Sequence, residues 1–186
     1  MADGEAERRF ERIYEAHSRQ VYAYFRRRTD PDDAQECAAE TFLLAWRRLD
    51  RVPDGEGALP WLYASGRRVL ANHFRASRRL GHLVSRLAGL APPDPPRPET
   101  VVLRNEADQE VLSALDRLPA ADRELLRLAV WEEVPREQLA EVLGCSAHAV
   151  SQRLHRATGR LARHLPTPGH RPGEAAPPQT QRGIAG

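Results

Sequence analysis

The chain has 186 residues, a length that suits one large domain or two small ones, and 41% of its residues are hydrophobic. Its mean hydropathy of −0.60 and the lack of any run near the roughly 20 apolar residues that span a bilayer exclude a membrane-embedded protein. Two distant cysteines, Cys37 and Cys145, exclude a disulfide framework, and without the apolar run of a secretory signal we expect a cytoplasmic protein.

Charge is distributed unevenly along the chain, although the net charge is only +2. Residues 57–93 contain six arginines and no acidic residue, and residues 146–173 contain five arginines and again no acid. Between these blocks, residues 104–145 hold ten acids against five arginines. Two basic blocks separated by an acidic one offer two attachment points to a polyanion, and guanidinium groups suit phosphate and guanine recognition.

Proline divides the chain into two modules. Five of the seven residues from Pro92 to Pro98 are prolines, which predicts an extended linker. The composition after Leu165 is typical of a disordered tail. We therefore expect a first module over residues 6–80, a linker over 81–103, a second module over 104–164 and a tail over 165–186.

Three helices are predicted for the first module. Apolar residues recur at three- and four-residue steps along the first of them. They are Phe10, Ile13, Tyr14, His17, Val21, Tyr24 and Phe25. Asp30 and Pro31 favour a helix start there, since aspartate caps helices and proline fits their first position. A turn-rich loop over residues 51–57 follows, and Pro60 opens a third helix that runs to about Arg79.

The second module is also predicted to be helical, so the expected fold class is all-α. Its first helix has an apolar face that includes Val111 and Leu115, and Pro119 and Pro135 mark the next two helix starts. Gly144 favours a turn, after which Ser146 is a strong cap for a last helix. Two helices joined by a short glycine-containing turn are typical of the helix-turn-helix motif.

The last helix has one apolar stripe and one polar side. At 100° per residue, Val150, Leu154, Ala157 and Leu161 share the stripe that we expect to pack on the module. The polar side carries groups that can bond base edges or phosphates. These candidate DNA-binding residues are His148, Ser151, Gln152, Arg153, His155 and Arg156. The alternative is an ordinary solvated helix face.

A second arginine-rich helix surface is predicted in the first module. Its candidate DNA-binding residues are Asn72, Arg75, Arg78 and Arg79. A solvated face normally mixes both signs of charge, and this one does not. We expect Trp46, Trp61 and Trp131 to pack in the core rather than to stack on bases.

The sequence offers no candidate for catalysis or for metal binding. The seven histidines show no ligand spacing supported by cysteine or carboxylate, and no nucleophile with a base and an orienting acid stands out. We therefore expect no metal, no cofactor and no enzymatic activity.

Five stretches of the chain resemble regions 2 and 4 of the extracytoplasmic-function group of bacterial RNA polymerase sigma factors. The first module contributes FERIYEAHSRQVYAYFRRR, DDAQECAAETFLLAWRRLDRV and WLYASGRRVLANHFRASRR. The second contributes LDRLPAADRELLRLAVWEEVPREQLAEVLG and CSAHAVSQRLHRATGRL. Together they cover most of residues 8–164, in the family's order. This group lacks the large region 3 of housekeeping sigma factors, which agrees with a linker at that place.

The resemblance implies a dissociable polymerase subunit that recognises promoters and helps to melt them. It implies that Asp33, Glu36 and Glu40 dock on the clamp helices of the polymerase's largest subunit. It also implies that the loop over residues 51–57 and the basic helix capture unpaired bases of the −10 element. The helix over residues 146–160 would enter the major groove at the −35 element. Many members of this group are held inactive by an anti-sigma protein, although nothing in this sequence identifies one.

The sequence departs from the family's pattern at several positions. The family's docking motif usually reads Asp-Ala-Glu-Asp, followed shortly by Gln-Glu. Here Asp33 and Ala34 are followed directly by Gln35 and Glu36, and Ala39 replaces the usual glutamine before Glu40. In the last helix, Ser151 and Gln152 stand where a basic residue and a serine are common. These departures affect core affinity and promoter preference more than the class of activity.

Two other classes of function remain open at this point. One is a stand-alone helix-turn-helix transcriptional regulator that binds DNA through residues 135–164. The other is a helical adaptor that binds only proteins, with its arginine faces serving acidic partners. A regulator would need a ligand pocket, a receiver or a dimer seam in the first module, whereas that module carries a basic and an acidic helix.

Overall fold

The computed structural model describes residues 2–88 and 106–165, and all regular structure within them is helical. The predicted all-α class is therefore confirmed. The helices are α1 Ala2–Arg26, α2 Pro31–Arg47, α3 Ala58–Ala88, α4 Glu106–Asp116, α5 Ala120–Val130, α6 Arg136–Leu143 and α7 Ala147–His164. Two short 3-10 turns, Leu49–Arg51 and Gly55–Gly57, connect α2 to α3. None of the helices in the described ranges is long and apolar enough to cross a bilayer.

Capping residues set the helix ends that position the two modules. The Asp30 carboxylate accepts a hydrogen bond of 2.9 Å from the backbone N–H of Asp33, and Pro31 occupies the first position of α2. The Ser146 hydroxyl accepts one of 3.2 Å from the N–H of Ala149 at the start of α7. Both starts agree with the sequence prediction.

Helix α3 is longer than predicted at both ends. It begins two residues before Pro60 and continues past Arg79 to Ala88, so residues 81–88, predicted as linker, are helical. Leucine, arginine and alanine, which favour helix, make up four of these eight residues, and the first proline after them is Pro92. The rest of the predicted linker, residues 89–103, and the predicted tail from residue 166 lie outside the described residues.

The first module is a bundle of α1, α2 and α3, each packed on the other two. Its core includes Phe25, Cys37 and Leu62, all of which are fully buried. A Cβ on Gly66 would lie 3.0 Å from the ring of Phe25, so glycine allows α1 and α3 to approach closely. The bundle is thus fixed by contacts from all three helices.

Two aromatic side chains that the sequence predicts to be buried, one on the apolar face of α1 and one tryptophan of α2, are partly exposed. Tyr14 is 49% exposed and Trp46 is 44% exposed, and both stand at the edge of the α1–α2 pair. The prediction that Trp46 packs in the core is wrong, because α2 is covered by other helices on only one side. The predictions for Trp61 and Trp131 are confirmed, since each is partly buried against a core cluster.

The second module packs α4, α5 and α6 against α7. Val150 and Ala157 of α7 are fully buried, while Leu154 and Leu161 are partly buried, so the predicted apolar stripe is confirmed. Val111, predicted on the buried face of α4, is 38% exposed. The two modules also contact each other, chiefly through α3 and α6.

Candidate nucleic-acid and polymerase interfaces

Helices α6 and α7 form the predicted helix-turn-helix. Gly144 ends α6 with a φ of 64°, a left-handed conformation that favours glycine. The N–H of Cys145 donates a hydrogen bond of 3.0 Å to the carbonyl of Ala140. This turn and the Ser146 cap fix where α7 begins, and Val150 in its first turn is fully buried against the module. The polar side of α7 is consequently presented as one continuous surface.

The structure brings the six candidate residues of α7 together on this side. All of them are exposed except Ser151, which is half-buried and donates its hydroxyl to the carbonyl of Ala147 at 3.2 Å. Gln152 Nε2 and His148 Nε2 lie 2.9 Å apart, so these two side chains form a pair. Arg156 makes no hydrogen bond or ion pair with any of the described residues. Its side chain is exposed.

Some arginines of the second basic block, residues 146–173, contact other residues of the chain. Arg160 forms an ion pair with Asp122 of α5 inside the second module. Arg153 places Nη1 3.8 Å from the sulfur of Cys145. The ion pair between Arg160 and Asp122 links α7 to α5. Arg160 therefore has a structural role that the charge pattern alone did not reveal.

The candidate residues of α3 form a second basic surface. Asn72, Arg75, Arg78 and Arg79 are all exposed. Arg75 donates to the side-chain oxygen of Asn72, and Arg78 Nε donates to the carbonyl of Phe74 at 3.3 Å. These local bonds hold the guanidinium groups along the helix without covering them.

Arg67, which precedes this surface on α3, points elsewhere. Its Nη1 donates a hydrogen bond of 2.7 Å to the carbonyl of Val142 in α6, and its Nε lies 3.8 Å from Glu124 of α5. Arg67 therefore joins the two modules and does not belong to the exposed basic surface.

The candidate docking residues lie on α2 and differ in exposure. Glu36 and Glu40 are exposed, whereas Asp33 is half-buried and accepts a hydrogen bond of 3.1 Å from Thr29. Burial, together with the nearby carboxylates, raises the pKa of the Cys37 thiol beneath them to about 12. Two of the three predicted docking residues therefore form an exposed acidic surface, and Asp33 is only partly accessible at its edge.

Two apolar residues extend the acidic surface and were missed by the sequence reasoning. Leu43 is 47% exposed and lies one to two turns after Glu36 and Glu40 on the same side of α2. Trp46 lies nearby and packs one face on Phe10, with ring centroids 5.2 Å apart. A leucine seven residues after Glu36, and so on the same side of α2 as the acids, was the available signal.

A group of side chains able to hold a cation lies beside this surface. Donor atoms of Asp33, Glu36 and His73 fall within 4.8 Å of one another. His73 Nε2 lies 2.9 Å from Asp33 Oδ2, but the direction of this contact is not that of a hydrogen bond. We interpret the contact as a link between α2 and α3. The sequence search missed it because forty residues separate Asp33 from His73.

Comparisons with known proteins match both modules. The family "Sigma-70 region 2" matches residues 13–80, and "Sigma-70, region 4" matches residues 108–161. The chain is 31% identical to the ECF RNA polymerase sigma factor BldN of Streptomyces coelicolor over 88% of its own length. It spans 62% of the length of BldN and 34% of another curated relative.

A further relative and a solved structure cover most of both chains. RNA polymerase sigma factor CnrH of Cupriavidus metallidurans is 31% identical over 72% of each chain. The sigma factor RpoE of Bartonella quintana, solved with the anti-sigma factor NepR, has a TM-score of 0.60 at 21% identity. That match covers 83% of this chain and 95% of RpoE and shows a shared fold. The chain belongs to the RNA polymerase sigma factors, in their extracytoplasmic-function group.

Proposed function

We propose that this chain binds RNA polymerase core and directs it to promoters, where it takes part in opening the DNA and starting transcription. The observation that carries the proposal is the pair of exposed arginine surfaces on α3 and α7. Each lies in a module that matches one sigma region, and neither contains an acid. Two such surfaces on one chain suit two separate contacts with one polyanion.

The polar side of α7 is proposed to read the −35 element from the major groove. An α-helix fits that groove, where arginine pairs with guanine and glutamine with adenine. Arg156 is the strongest candidate for base reading, since its guanidinium is exposed and unpaired among the described residues. His148, Ser151, Gln152, Arg153 and His155 complete the proposed contact surface.

The basic side of α3 is proposed to contact the −10 element through Asn72, Arg75, Arg78 and Arg79. Extruding a base costs a few kcal/mol, which stacking and edge hydrogen bonds can offset. Attraction of arginine to phosphate is independent of sequence and weakens with salt. The loop over residues 51–57 is expected to help in capturing unpaired bases.

The acidic side of α2 is proposed to dock on the clamp helices of the polymerase's largest subunit. Glu36 and Glu40 would supply the exposed charge, and Leu43 an apolar contact between them and Trp46. Asp33 is proposed to take part while keeping its contact with His73. Interfaces of this kind gain affinity from a buried apolar centre and specificity from the surrounding charges.

The remaining parts of the proposal follow from this role. The first module, residues 6–80, would serve core and −10 binding, and the second, residues 104–164, would serve −35 binding, joined by a linker over residues 81–103. We further propose that the chain is a cytoplasmic protein without enzymatic activity, cofactor or resident metal. An anti-sigma protein is a possible partner, because the relative RpoE was solved with one.

The proposal is tested by reconstituting the chain with bacterial core polymerase. We expect the chain to co-purify with core enzyme and to confer start-site selectivity in run-off transcription from a promoter library. The matched variants are Glu36→Gln with Glu40→Gln on the docking surface, and Glu11→Gln with Glu15→Gln on the exposed part of α1. Only the first pair should weaken core association.

The two other functions predict different outcomes of the same experiment. Sequence-specific DNA binding without polymerase association would indicate a stand-alone regulator. Binding of neither DNA nor polymerase by purified, folded protein would indicate an adaptor and would contradict the proposal.

A further inference from the structure

One arginine of α1 holds the loop between α2 and α3. Arg9 Nη1 donates a hydrogen bond of 2.7 Å to the carbonyl of Leu49, and its Nη2 donates one of 2.6 Å to the carbonyl of Val52. Arg9 Nε donates one of 2.9 Å to Oδ1 of Asp54. All three acceptors lie 40 or more residues away in the sequence. Nothing else in the proposed role of the chain uses this arginine.

The three acceptors stand at the points where the loop changes direction. Leu49 opens the first 3-10 turn, Val52 follows its end, and Asp54 precedes the second turn. Short 3-10 turns have poor internal hydrogen-bond geometry and hold their shape weakly. A guanidinium presents its donors in one rigid plane, so a single Arg9 side chain fixes both turns relative to each other and to α1.

The loop is compact, but its tip is open to solvent. Val52 is fully buried and anchors the loop in the core of the first module. Gly55 has a left-handed φ of 61°, and a Cβ on Gly57 would lie 2.8 Å from the side chain of Pro53, so glycine lets the chain fold back on itself. Residues 53–56 are all exposed. The loop therefore presents a short tip from a fixed base.

The side chains of this tip can only accept hydrogen bonds. Asp54 and Glu56 are the two polar side chains of residues 53–57, and an ionised carboxylate has no donor. The Asp54 side chain is 85% exposed and Arg9 bonds to its Oδ1, so Oδ2 can accept from a ligand. Adenine, cytosine and guanine each carry an exocyclic amino group that donates, whereas thymine has none.

The ion pair with Arg9 also makes Asp54 compatible with DNA. A free carboxylate is repelled by phosphates, and the guanidinium 2.9 Å away offsets its charge. Arg9 itself is 26% exposed and is covered by the loop. It therefore acts on a ligand through Asp54 and the loop backbone, not by direct contact.

We propose that Arg9 is a positioning residue for base capture, which holds the loop over residues 51–57 so that Asp54 accepts a hydrogen bond from the amino group of an unpaired −10 base. This inference rests on the proposed function, which gives the loop its task, and adds the residues that perform it. A loop that is already ordered loses less conformational entropy when it binds.

The first measurement concerns the free chain and needs no polymerase. The N–H of Val52 is bonded to the carbonyl of Leu49 at 3.2 Å, next to the Arg9 contacts, and its hydrogen exchange reports on the loop. Arg9→Gln should accelerate this exchange about tenfold or more. Arg8→Gln removes the same charge from the neighbouring, exposed position and should leave the exchange rate unchanged.

The second measurement concerns base preference in the reconstituted holoenzyme. The probes are promoter DNAs whose −10 stretch is single-stranded on one strand and carries each of the four bases in turn at each position. We expect thymine at one position to lower the affinity of the wild type about fivefold to tenfold, because it cannot donate to Asp54. Arg9→Gln and Arg9→Lys should reduce this discrimination to less than about twofold, since neither side chain has the guanidinium fork.

Asp54→Asn tests the same contact at an exposed residue, where the fold is not at risk. The amide keeps an oxygen for Arg9 and adds a donor that can bond thymine, so the penalty against thymine should disappear. Core association should stay at the wild-type level. If the Arg9 variants lose their helical circular dichroism, Asp54→Asn decides the outcome.

Each other result has a definite meaning. Unchanged base discrimination in the folded variants, or a wild type that accepts thymine equally at every −10 position, would overturn the proposal. Equal losses by Arg9→Gln on all probes, including duplex DNA with only the −35 element, would give Arg9 a purely structural role. A wild type that does not bind polymerase would reject the proposed function and the base contact, while the exchange of Val52 would still decide whether Arg9 holds the loop.

Discussion

Arg156 and Arg78 are both exposed arginines, yet we expect them to contribute to promoter binding in different ways. Arg156→Ala should weaken binding by about 1–3 kcal/mol on promoters with the preferred −35 base and much less on others, because the proposed function gives Arg156 a base contact. Arg78→Ala should weaken binding evenly and lower the salt slope by about one, because the proposed function gives Arg78 a phosphate contact.

The measurement is binding of the reconstituted holoenzyme to a set of −35 and −10 variants at several salt concentrations. Gln20→Ala, at an exposed polar residue of α1 outside the proposed surfaces, is the control. Equal losses on every −35 variant after the Arg156 substitution would remove Arg156 from the base-reading residues.

The two cysteines should differ sharply in reactivity. Cys37 is fully buried and its pKa is raised to about 12, so almost no thiolate forms at pH 8, whereas Cys145 is half-exposed. Iodoacetamide at pH 8 should therefore modify one cysteine of the native chain and both in denaturant, as read by peptide mass. Rapid alkylation of Cys37 in the native chain would show that α2 is open at this point.

The raised pKa of Cys37 also determines how the stability of the fold depends on pH in the alkaline range. The pKa of Cys37 in the folded chain lies above the unfolded value near 9, so the folded state holds its proton more tightly. Its contribution to stability is complete below pH 9 and is lost as the pH rises toward 12.

At the level of single residues, sequence reasoning anticipated which side chains of α7 are exposed, and their roles stay predictions. Composition and spacing were sufficient for the polar side of α7, because its buried stripe is regular and its cap is strong. They failed for Trp46 and Leu43, since the pattern shows which residues are apolar but not how many faces of α2 other helices cover. They also could not assign Arg67 or Arg160 to internal contacts, which depend on chain segments 38 or more residues away.

At the scale of elements, two glycines of the second module should respond oppositely to alanine. Gly144 has a left-handed φ of 64°, so Gly144→Ala should lower the free energy of unfolding by about 1 kcal/mol. Gly159 lies inside α7 with open space around it, so Gly159→Ala should raise stability by about 0.8–1 kcal/mol. Urea unfolding of both variants measures the difference, and a change of the same sign in both would contradict this account of the turn.

The docking surface of α2 should depend on its apolar residue as well as on its charges. Leu43→Ala should weaken core binding about fivefold to tenfold, as expected for an apolar side chain buried at the centre of an interface. Glu40→Gln should have a smaller effect that diminishes with salt.

The matched control for Leu43 is Val130→Ala, a truncation at a residue of α5 that is 66% exposed. Affinities from competition with a labelled sigma factor would test the prediction. Equal core affinity of the Leu43 variant and the wild type would confine the docking surface to the acids.

Helix starts were easier to predict than helix ends. Asp30, Pro31 and Ser146 act through bonds within a few residues, so local chemistry determines them. The end of α3 was placed too early because the prediction followed the charge pattern, whereas the helix continues through Gly81 to Ala88 with no proline in between. Proline-rich sequence beyond Ala88 marked a boundary but could not fix where the helix stops.

At the scale of the whole molecule, the contact between the modules was not predictable from the sequence. It depends on Arg28, Glu124 and Glu132, charged residues of types that are almost never fully buried unless they are paired. Only the three-dimensional structure shows that all three are largely buried together. Such pairing over about 100 residues leaves no periodic signal.

The shared core predicts that the two modules unfold together. Because residues of α5, α6 and α7 belong to the same buried cluster as residues of α1–α3, calorimetry of the wild type should give one transition with equal calorimetric and van't Hoff enthalpies. Glu124→Gln with Glu132→Gln leaves Arg28 buried without its partners, which should weaken the interface by about 3 kcal/mol or more and separate the transition into two. Glu133→Gln should leave a single transition. Two transitions in the wild type would mean that the modules are thermodynamically independent despite their shared core.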